Sequence, residues 1–166
     1  PALVLKSLEF DVKAWVRSPR ENEDIPIMYG QDQLEAFLNE TDIAVCLLPL
    51  TKETEGIFCA RTFAMMPKGA MLVNVGRGKH VVNDDLIAAL DSGQLSYAAL
   101  DAHHPEPLPP ESPLWDQKNL TIFPHMSSDD PTSYIQRSLD VFFENLKAYL
   151  DGAAVLPNEI DRSTGY

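Results

Sequence analysis

Three residues suited to anion binding or proton transfer follow apolar segments or lie in a rigid loop. Arg77 stands between Gly76 and Gly78 after the segment AMLVNV, His125 follows LTIFP, and Glu106 lies between two prolines. The flanking glycines allow a sharp turn that leaves the guanidinium free to grip a carboxylate through two hydrogen bonds. Together the three residue types predict binding of an anionic carbonyl compound and proton transfer to it.

Taken singly, each residue also has an ordinary interpretation. An arginine in a glycine turn is often only solvated, a lone loop histidine is often structural, and a glutamate in a proline-rich loop usually faces water. The functional interpretation pairs Glu106 with His125, because a nearby carboxylate stabilises an imidazolium and so keeps a proton donor available near neutral pH.

Two further groups of polar residues follow apolar segments. Arg17, Ser18 and Arg20 come after VKAWV and form a small cationic cluster, whose alternative is a charged surface turn. Asp101 ends the segment YAAL, where its carboxylate either accepts a hydrogen bond from a ligand amide or caps the loop. We predict no metal site, because the neighbouring His103 and His104 do not converge on one ion and no Cys or acidic ligand pattern supports one.

The elements that position these residues follow from the apolar pattern. Strands are predicted at residues 12–16, 43–48, 70–75, 97–100 and 120–123, and helices at residues 2–10, 33–38, 60–66, 84–92 and 131–150. Asn83 is the expected N-cap of the fourth helix, and Gly93 and Gly152 are expected helix stops. Short apolar strands that do not alternate, separated by helices, predict a parallel sheet covered on both faces.

This arrangement explains why the polar residues are expected to meet. In an open parallel sheet, ligands bind beyond the carboxyl ends of the strands. Arg77, Asp101, His125 and the cluster that begins at Arg17 all follow predicted strands directly. The sequence therefore predicts one site at one edge of the sheet.

Composition excludes several classes of function. The 166 residues carry a formal net charge of -12, which disfavours binding to nucleic acid or to an anionic membrane. No apolar run approaches membrane-spanning length, and no secretory signal is visible. Cys46 lies in the apolar run IAVCLL and is expected to be a small buried hydrophobe, so a reducing cytoplasm is the expected compartment.

The ordered motifs of the chain resemble a known family. The runs LVNVGRGKHVVNDDLIAALDSGQL, ALDAHHPEPLPPESPLW and NLTIFPH are similar to the C-terminal half of the D-2-hydroxyacid dehydrogenases. LLPLTKETEGIF and the closing NEIDRSTGY extend the resemblance, which is strongest to the bacterial glyoxylate/hydroxypyruvate reductases. It covers nearly the whole chain.

The resemblance implies a role for each candidate residue. Arg77 would orient the carboxylate and carbonyl of the substrate, His125 would protonate the carbonyl oxygen, and Glu106 would pair with His125. Asp101 would hold the nicotinamide carboxamide. Members that use NAD are expected to carry an acid at the end of the second strand. AWVRSPR has none there, so Arg17, Ser18 and Arg20 are expected to hold the 2′-phosphate of NADPH.

The resemblance also implies a fold and a domain division. The expected fold is α/β, a Rossmann-like doubly wound parallel sheet. It is expected to be incomplete, because the first strand and the glycine-rich phosphate loop would lie upstream of Pro1. Residues 1–125 would form part of a nucleotide-binding domain, and residues 126–166 would return to the substrate-binding domain through a long helix. We therefore expect the chain to be a fragment that is inactive alone, of an enzyme that is a homodimer.

The implied activity is an NADPH-preferring reduction of glyoxylate or hydroxypyruvate. Two departures from the family pattern leave alternatives open. Ala102 and His103 replace the commoner valine and aromatic residue, so a larger 2-oxoacid is an alternative substrate. PHMSSDD replaces the usual run of small residues after the histidine. A non-catalytic, corepressor-like nucleotide sensor is the alternative from another class.

Overall fold

The computed structural model of the protein describes residues 2–19, 24–130 and 132–160. The described residues form five α-helices and six β-strands. Three short 3₁₀ turns connect some of them, at Gln31–Gln33, Gly78–His80 and Pro113–Asp116. The elements are α1 (Ala2–Ser7), β1 (Ala14–Val16), β2 (Ile27–Tyr29), α2 (Leu34–Asn39), β3 (Ile43–Cys46), α3 (Ala60–Met65), β4 (Ala70–Asn74), α4 (Asn83–Asp91), β5 (Leu95–Leu100), β6 (Leu120–Ile122) and α5 (Tyr134–Leu150).

The strands form two parallel sheets. β1 pairs with β2 in one sheet, and the other sheet has the strand order β3-β4-β5-β6. Within the larger sheet every pair of neighbouring strands is parallel, so all four strands end at the same edge. The predicted α/β fold with a parallel sheet is confirmed, and the described part of the chain contains no strand that joins the two sheets.

The core lies on one face of the larger sheet. Ala44, Leu72 and Leu100 point from the strands towards α2, α3 and α4, where they pack against residues such as Phe63 and Leu86. Leu72 and Leu86 are fully buried. A fully buried leucine of this kind contributes about 1.5–3 kcal/mol of transfer free energy, so this layer is what holds the strands in place.

The opposite face of the same sheet is open. Its side chains Ile43, Val45, Met71 and Tyr97 are apolar, and each is about two-fifths exposed. Helix α5 is open as well, because none of its residues is buried. The predicted cover on both faces is therefore present on one face only among the described residues.

Several predicted boundaries were wrong. Strand β2 was missed, because its three residues Ile27–Tyr29 are too short to show a pattern of their own. The N-cap of α4 is Val82 and not Asn83, whose side-chain amide donates instead to the carbonyl oxygen of His104. Helix α5 begins at Tyr134, three residues later than predicted. The Asp130 side chain accepts from the backbone N–H groups of Thr132 and Ser133, the two residues before the helix.

Two other local predictions, the glycine stops after α4 and α5 and the buried thiol of Cys46, were confirmed. Gly93 and Gly152 follow α4 and α5 with φ of 69° and 77°, which glycine adopts without steric cost. Cys46 is buried, and that burial raises the pKa of its thiol to about 11. In the described part of the chain, no helix has both the length and the apolar character needed to cross a membrane.

Candidate active site at the carboxyl edge of the sheet

His125 and Glu106 contact each other beyond the end of β6. The Nδ1 atom of His125 lies 3.0 Å from Oε1 of Glu106, and both side chains remain about two-fifths exposed. His125 has a positive φ of 55°, an uncommon conformation for a residue with a side chain. The contact uses Nδ1 and leaves Nε2 as the ring nitrogen that can face a ligand.

Asp101 fixes the loop that begins at His125. Its Oδ1 accepts from the backbone N–H groups of Met126 and Ser127 at 2.8 and 3.0 Å, and its Oδ2 accepts from the Ser127 hydroxyl at 2.6 Å. Burial alone would raise the pKa of the Asp101 carboxyl, but these hydrogen bonds outweigh it and the pKa is lowered. Asp101 therefore caps the loop, which is one of the two roles predicted for it from the sequence.

Arg77 lies exposed in the turn that follows β4, and the turn is organised by Asn74. The buried Asn74 amide accepts from the backbone N–H of Gly76 and donates to the carbonyl oxygens of Arg77 and Ala102. The Arg77 guanidinium donates through Nη1 to the carbonyl oxygen of Gly76 at 2.7 Å. The turn is therefore tied to the segment after β5.

Gly78 brings this turn against the segment after β5. A Cβ atom at Gly78 would lie 2.0 Å from the backbone carbon and oxygen of His103, a distance that no real Cβ tolerates. The Arg77 turn therefore contacts the segment 101–104, and the Asp101 carboxylate in that segment binds the loop that begins at His125. The three candidate catalytic residues share one edge of the sheet, as their positions predicted.

A second buried residue, His80, contacts the backbone of the Arg77 turn. Its side chain is fully buried, Nδ1 lies 3.0 Å from the Arg77 backbone nitrogen, and Nε2 lies 3.3 Å from the carbonyl oxygen of Pro49. Burial lowers the pKa of His80. Neither His80 nor Asn74 was predicted from the sequence, where the available signal was a polar side chain at the end of an apolar segment or between two of them.

The predicted cofactor residues lie at the end of β1, which belongs to the two-stranded sheet, so the described residues do not place them at the edge of the larger sheet with Arg77 and His125. Arg17 and Ser18 directly follow Val16 and are exposed. Arg17 lies near Glu53, since it helps to lower the pKa of that carboxyl, after the larger effect of the hydrogen bond from Thr51. A guanidinium and a hydroxyl fit the chemistry of a phosphate group, whereas Arg20 and the closing residues 161–166 lie outside the described residues.

Comparison with known proteins points to one family. The family model "D-isomer specific 2-hydroxyacid dehydrogenase, NAD binding domain" matches residues 2–127. A D-isomer specific 2-hydroxyacid dehydrogenase from Xanthobacter autotrophicus, solved with NADPH, is 38% identical with a TM-score of 0.92. This chain is covered to 99% and that chain to 66%.

Two further solved structures support the same assignment. An NADPH-dependent glyoxylate/hydroxypyruvate reductase from Sinorhizobium meliloti, in complex with NADP and sulfate, is 35% identical with a TM-score of 0.89, over 99% of this chain and 52% of that one. Phosphoglycerate dehydrogenase from Lactobacillus plantarum is 28% identical with a TM-score of 0.75, over 96% and 51% of the two chains.

The chain spans about half to two thirds of the length of these structures. The family model covers most of the chain, and its members are NAD(P)-dependent oxidoreductases with a Rossmann-like domain. The predicted resemblance is thereby confirmed at the level of the family. The chain belongs to the D-isomer specific 2-hydroxyacid dehydrogenases, and residues 2–127 correspond to their NAD-binding domain.

Proposed function

We propose that the whole protein is an NADPH-preferring reductase of small 2-oxoacids, glyoxylate or hydroxypyruvate, with Arg77, Glu106 and His125 as its catalytic residues. The observation that carries this proposal is the 3.0 Å contact between His125 and Glu106 at the edge of the sheet where Arg77 is exposed. A proton donor and a cation at one edge of a nucleotide-binding sheet suit reduction of an anionic carbonyl compound.

The residues would divide the chemistry as follows. A nicotinamide cofactor, when bound, supplies the hydride. His125 would give a proton from Nε2 to the carbonyl oxygen, and Glu106 at Nδ1 would stabilise the ring while it is charged. Arg77 would bind the substrate carboxylate and counter the negative charge that grows on the carbonyl oxygen.

NADPH is proposed as the cofactor on the basis of Arg17 and Ser18. Both are exposed at the carboxyl end of β1, and the segment AWVRSPR has no acid there to bind ribose hydroxyls. The solved structures of two similar proteins, from Xanthobacter autotrophicus and Sinorhizobium meliloti, are complexes with NADPH and NADP, respectively. Arg20 is included as a third phosphate-binding residue from its place in the sequence.

The catalytic assignment can be tested in the complete protein with two variants, His125→Asn and Arg77→Ala. Each should lower kcat/KM for glyoxylate and hydroxypyruvate by at least about a hundredfold, while the Kd for NADPH changes little. The control is His104→Gln, which changes an exposed histidine of the loop that also carries Glu106, and this variant should keep normal activity. Unchanged reduction by either variant would remove its residue from the site.

A substrate panel separates the proposal from its alternatives. Higher kcat/KM for phenylpyruvate than for glyoxylate would indicate the dehydrogenase of a larger 2-oxoacid. Binding of NADPH without reduction of any 2-oxoacid would instead indicate the nucleotide-sensing protein.

Cofactor choice has its own experiment. Arg17→Ala should raise KM for NADPH by about tenfold and leave KM for NADH nearly unchanged, because only NADPH carries the 2′-phosphate. Arg61→Ala, which removes an exposed arginine from α3, is the matched control. A wild-type protein that is much more efficient with NADH would contradict the cofactor proposal.

We also propose a division of the chain into two domains. Residues 1–125 would belong to the nucleotide-binding domain, and residues 126–166 would lead back to a substrate-binding domain in a cytoplasmic homodimer. The exposed apolar side chains of α5 support a role for that helix in packing against further protein. Sedimentation of the complete protein would test the dimer.

A further inference from the structure

His80 holds one peptide group of the Arg77 turn through an unusual pair of contacts. The peptide between Gly76 and Arg77 has its N–H directed at Nδ1 of His80, at 3.0 Å, and its carbonyl oxygen accepts from Nη1 of Arg77 itself, at 2.7 Å. The guanidinium is therefore anchored to the same peptide group that the buried imidazole orients. We infer that His80 is a positioning residue for Arg77, an inference that rests on the proposed function.

The hydrogen-bond partners decide which tautomer His80 must have. A backbone N–H can only donate, so Nδ1 has to be unprotonated to accept from Arg77. A carbonyl oxygen can only accept, so Nε2 has to carry the proton that it gives to Pro49. The Cys46 thiol, 3.6 Å from Nδ1, is compatible with this state, because a neutral S–H can also donate.

The surroundings leave the ring little freedom. A Cβ atom on Gly76 would lie 3.0 Å from both Nδ1 and Cε1 of His80, so the ring packs directly on the glycine backbone. The backbone of His80 is held too, since its carbonyl oxygen accepts from the N–H of Phe58 at 2.9 Å. Because these contacts fix the ring, the ring in turn fixes the Gly76–Arg77 peptide group that it binds.

The two contacts of the ring join two loops at the site edge. Pro49 follows β3 and Arg77 follows β4, and the strands themselves stop at Cys46 and Asn74. His80 bridges these loops beyond the last backbone pair of the sheet. An aliphatic residue of similar size would fill the volume but would leave the Arg77 N–H without an acceptor.

Two near-isosteric variants separate the two contacts. In His80→Asn, Oδ1 takes the place of Nδ1 and can still accept from the Arg77 N–H. In His80→Gln, the side-chain amide reaches the place of Nε2 and can still donate to Pro49, but the acceptor for Arg77 is lost. We expect KM for glyoxylate to rise by about tenfold in His80→Gln and by less than about threefold in His80→Asn.

The measurement is made on the complete protein with saturating NADPH. The KM for NADPH should change by less than about twofold in both variants, because Arg77 is assigned to the oxoacid and not to the cofactor. His104→Gln is the control for loss of a histidine. Equal KM values for glyoxylate in the two His80 variants, or a larger rise in His80→Asn, would overturn the inference.

A spectroscopic measurement tests the geometry without any variant or any turnover. Long-range ¹H–¹⁵N correlation spectra of the wild-type protein should show His80 with a protonated Nε2 and an unprotonated Nδ1 at neutral pH. The opposite tautomer or a charged ring would overturn the inference, even if the variants fold poorly. Absence of oxoacid reduction in the wild type, with the expected ring state, would reject the proposed function instead.

Discussion

At the scale of single residues, exposure separates the side chains that hold the loops together from those that are accessible to a ligand. Asn74, His80 and Asp101 are buried, and each of them binds backbone groups of neighbouring loops. Arg77, Glu106 and His125 remain accessible at the edge that those buried groups shape. The accessible residues are expected to affect chemistry and the buried ones to affect stability first.

Glu106→Gln tests that separation at the accessible pair. An ion pair between two side chains that are two-fifths exposed contributes little stability, so the free energy of unfolding should change by less than about 1 kcal/mol. In contrast, kcat should fall by about ten- to a hundredfold, because an uncharged partner no longer stabilises the charged ring of His125. Steady-state kinetics and urea unfolding measure the two effects. Glu111→Gln, an exposed glutamate of the same loop, should change neither.

Asp101→Asn tests the buried carboxylate. The variant leaves one oxygen and an NH₂ group where the protein offers three donors, so it should lower the free energy of unfolding by about 1–3 kcal/mol at neutral pH.

The contribution of Asp101 should also depend on pH. Since the pKa of the folded carboxyl is lowered, its stabilisation is complete above the ordinary aspartate pKa and is lost as the pH falls through the folded value. Urea unfolding between neutral and acidic pH should therefore show a smaller difference between wild type and variant in acid. A difference that does not change with pH would contradict this account.

At the scale of elements, the site is a contact between the loops that follow β4, β5 and β6. Strand register brings the ends of these strands to one edge, and Asn74 and Asp101 then bind the neighbouring loops. The contact of Gly78 with the His103 backbone is the closest approach among the described glycines. The geometry around Arg77 thus depends on a residue without a side chain.

Gly78→Ala should break this arrangement. The added Cβ would lie 2.0 Å from the His103 backbone, so the two loops must move apart, at a cost of about 1–3 kcal/mol of stability or more. Thermal unfolding and KM for the oxoacid measure the effect. Gly69→Ala is the matched control: its Cβ would meet nothing within 4 Å, so only the φ of 85° is penalised, by about 1–2 kcal/mol, and KM should not change. Equal effects of both changes on KM would contradict the loop contact.

At the scale of the whole molecule, the described residues include two open apolar surfaces. One is the sheet face that carries Ile43, Val45, Met71 and Tyr97, and the other is helix α5. Contiguous apolar surface of this kind usually marks a contact with further protein. The chain spans about half to two thirds of the length of the similar structures.

Val45→Lys tests whether the sheet face is covered in the complete protein. A lysine in a covered apolar face has no partner for its charge, so the free energy of unfolding should fall by at least about 2 kcal/mol. Gln31→Lys, which adds the same charge at an exposed position, should change it by less than about 0.5 kcal/mol. If the two variants unfold alike, the face is open in the complete protein as well.

The apolar pattern of the sequence predicts the class of the fold and the sheet edge that Arg77, Asp101 and His125 share. Apolar strands between helices predict a parallel sheet, and the carboxyl ends of parallel strands must share one edge. Arg77, Asp101 and His125 could therefore be placed together before any contact was known. Five of the six described strands and the family were predicted for the same reason, since both depend on runs of residues that are contiguous in the chain.

The way in which the candidate site is held depends on tertiary contacts. Strand β2 was missed because three residues have no period of their own, and Asn83 binds the distant His104 carbonyl in place of capping its helix. The roles of Asn74 and His80 likewise depend on partners up to 31 residues away in sequence. A buried polar side chain shows in the sequence that it needs a partner, but the partner is chosen by which backbone groups the packed strands leave within reach.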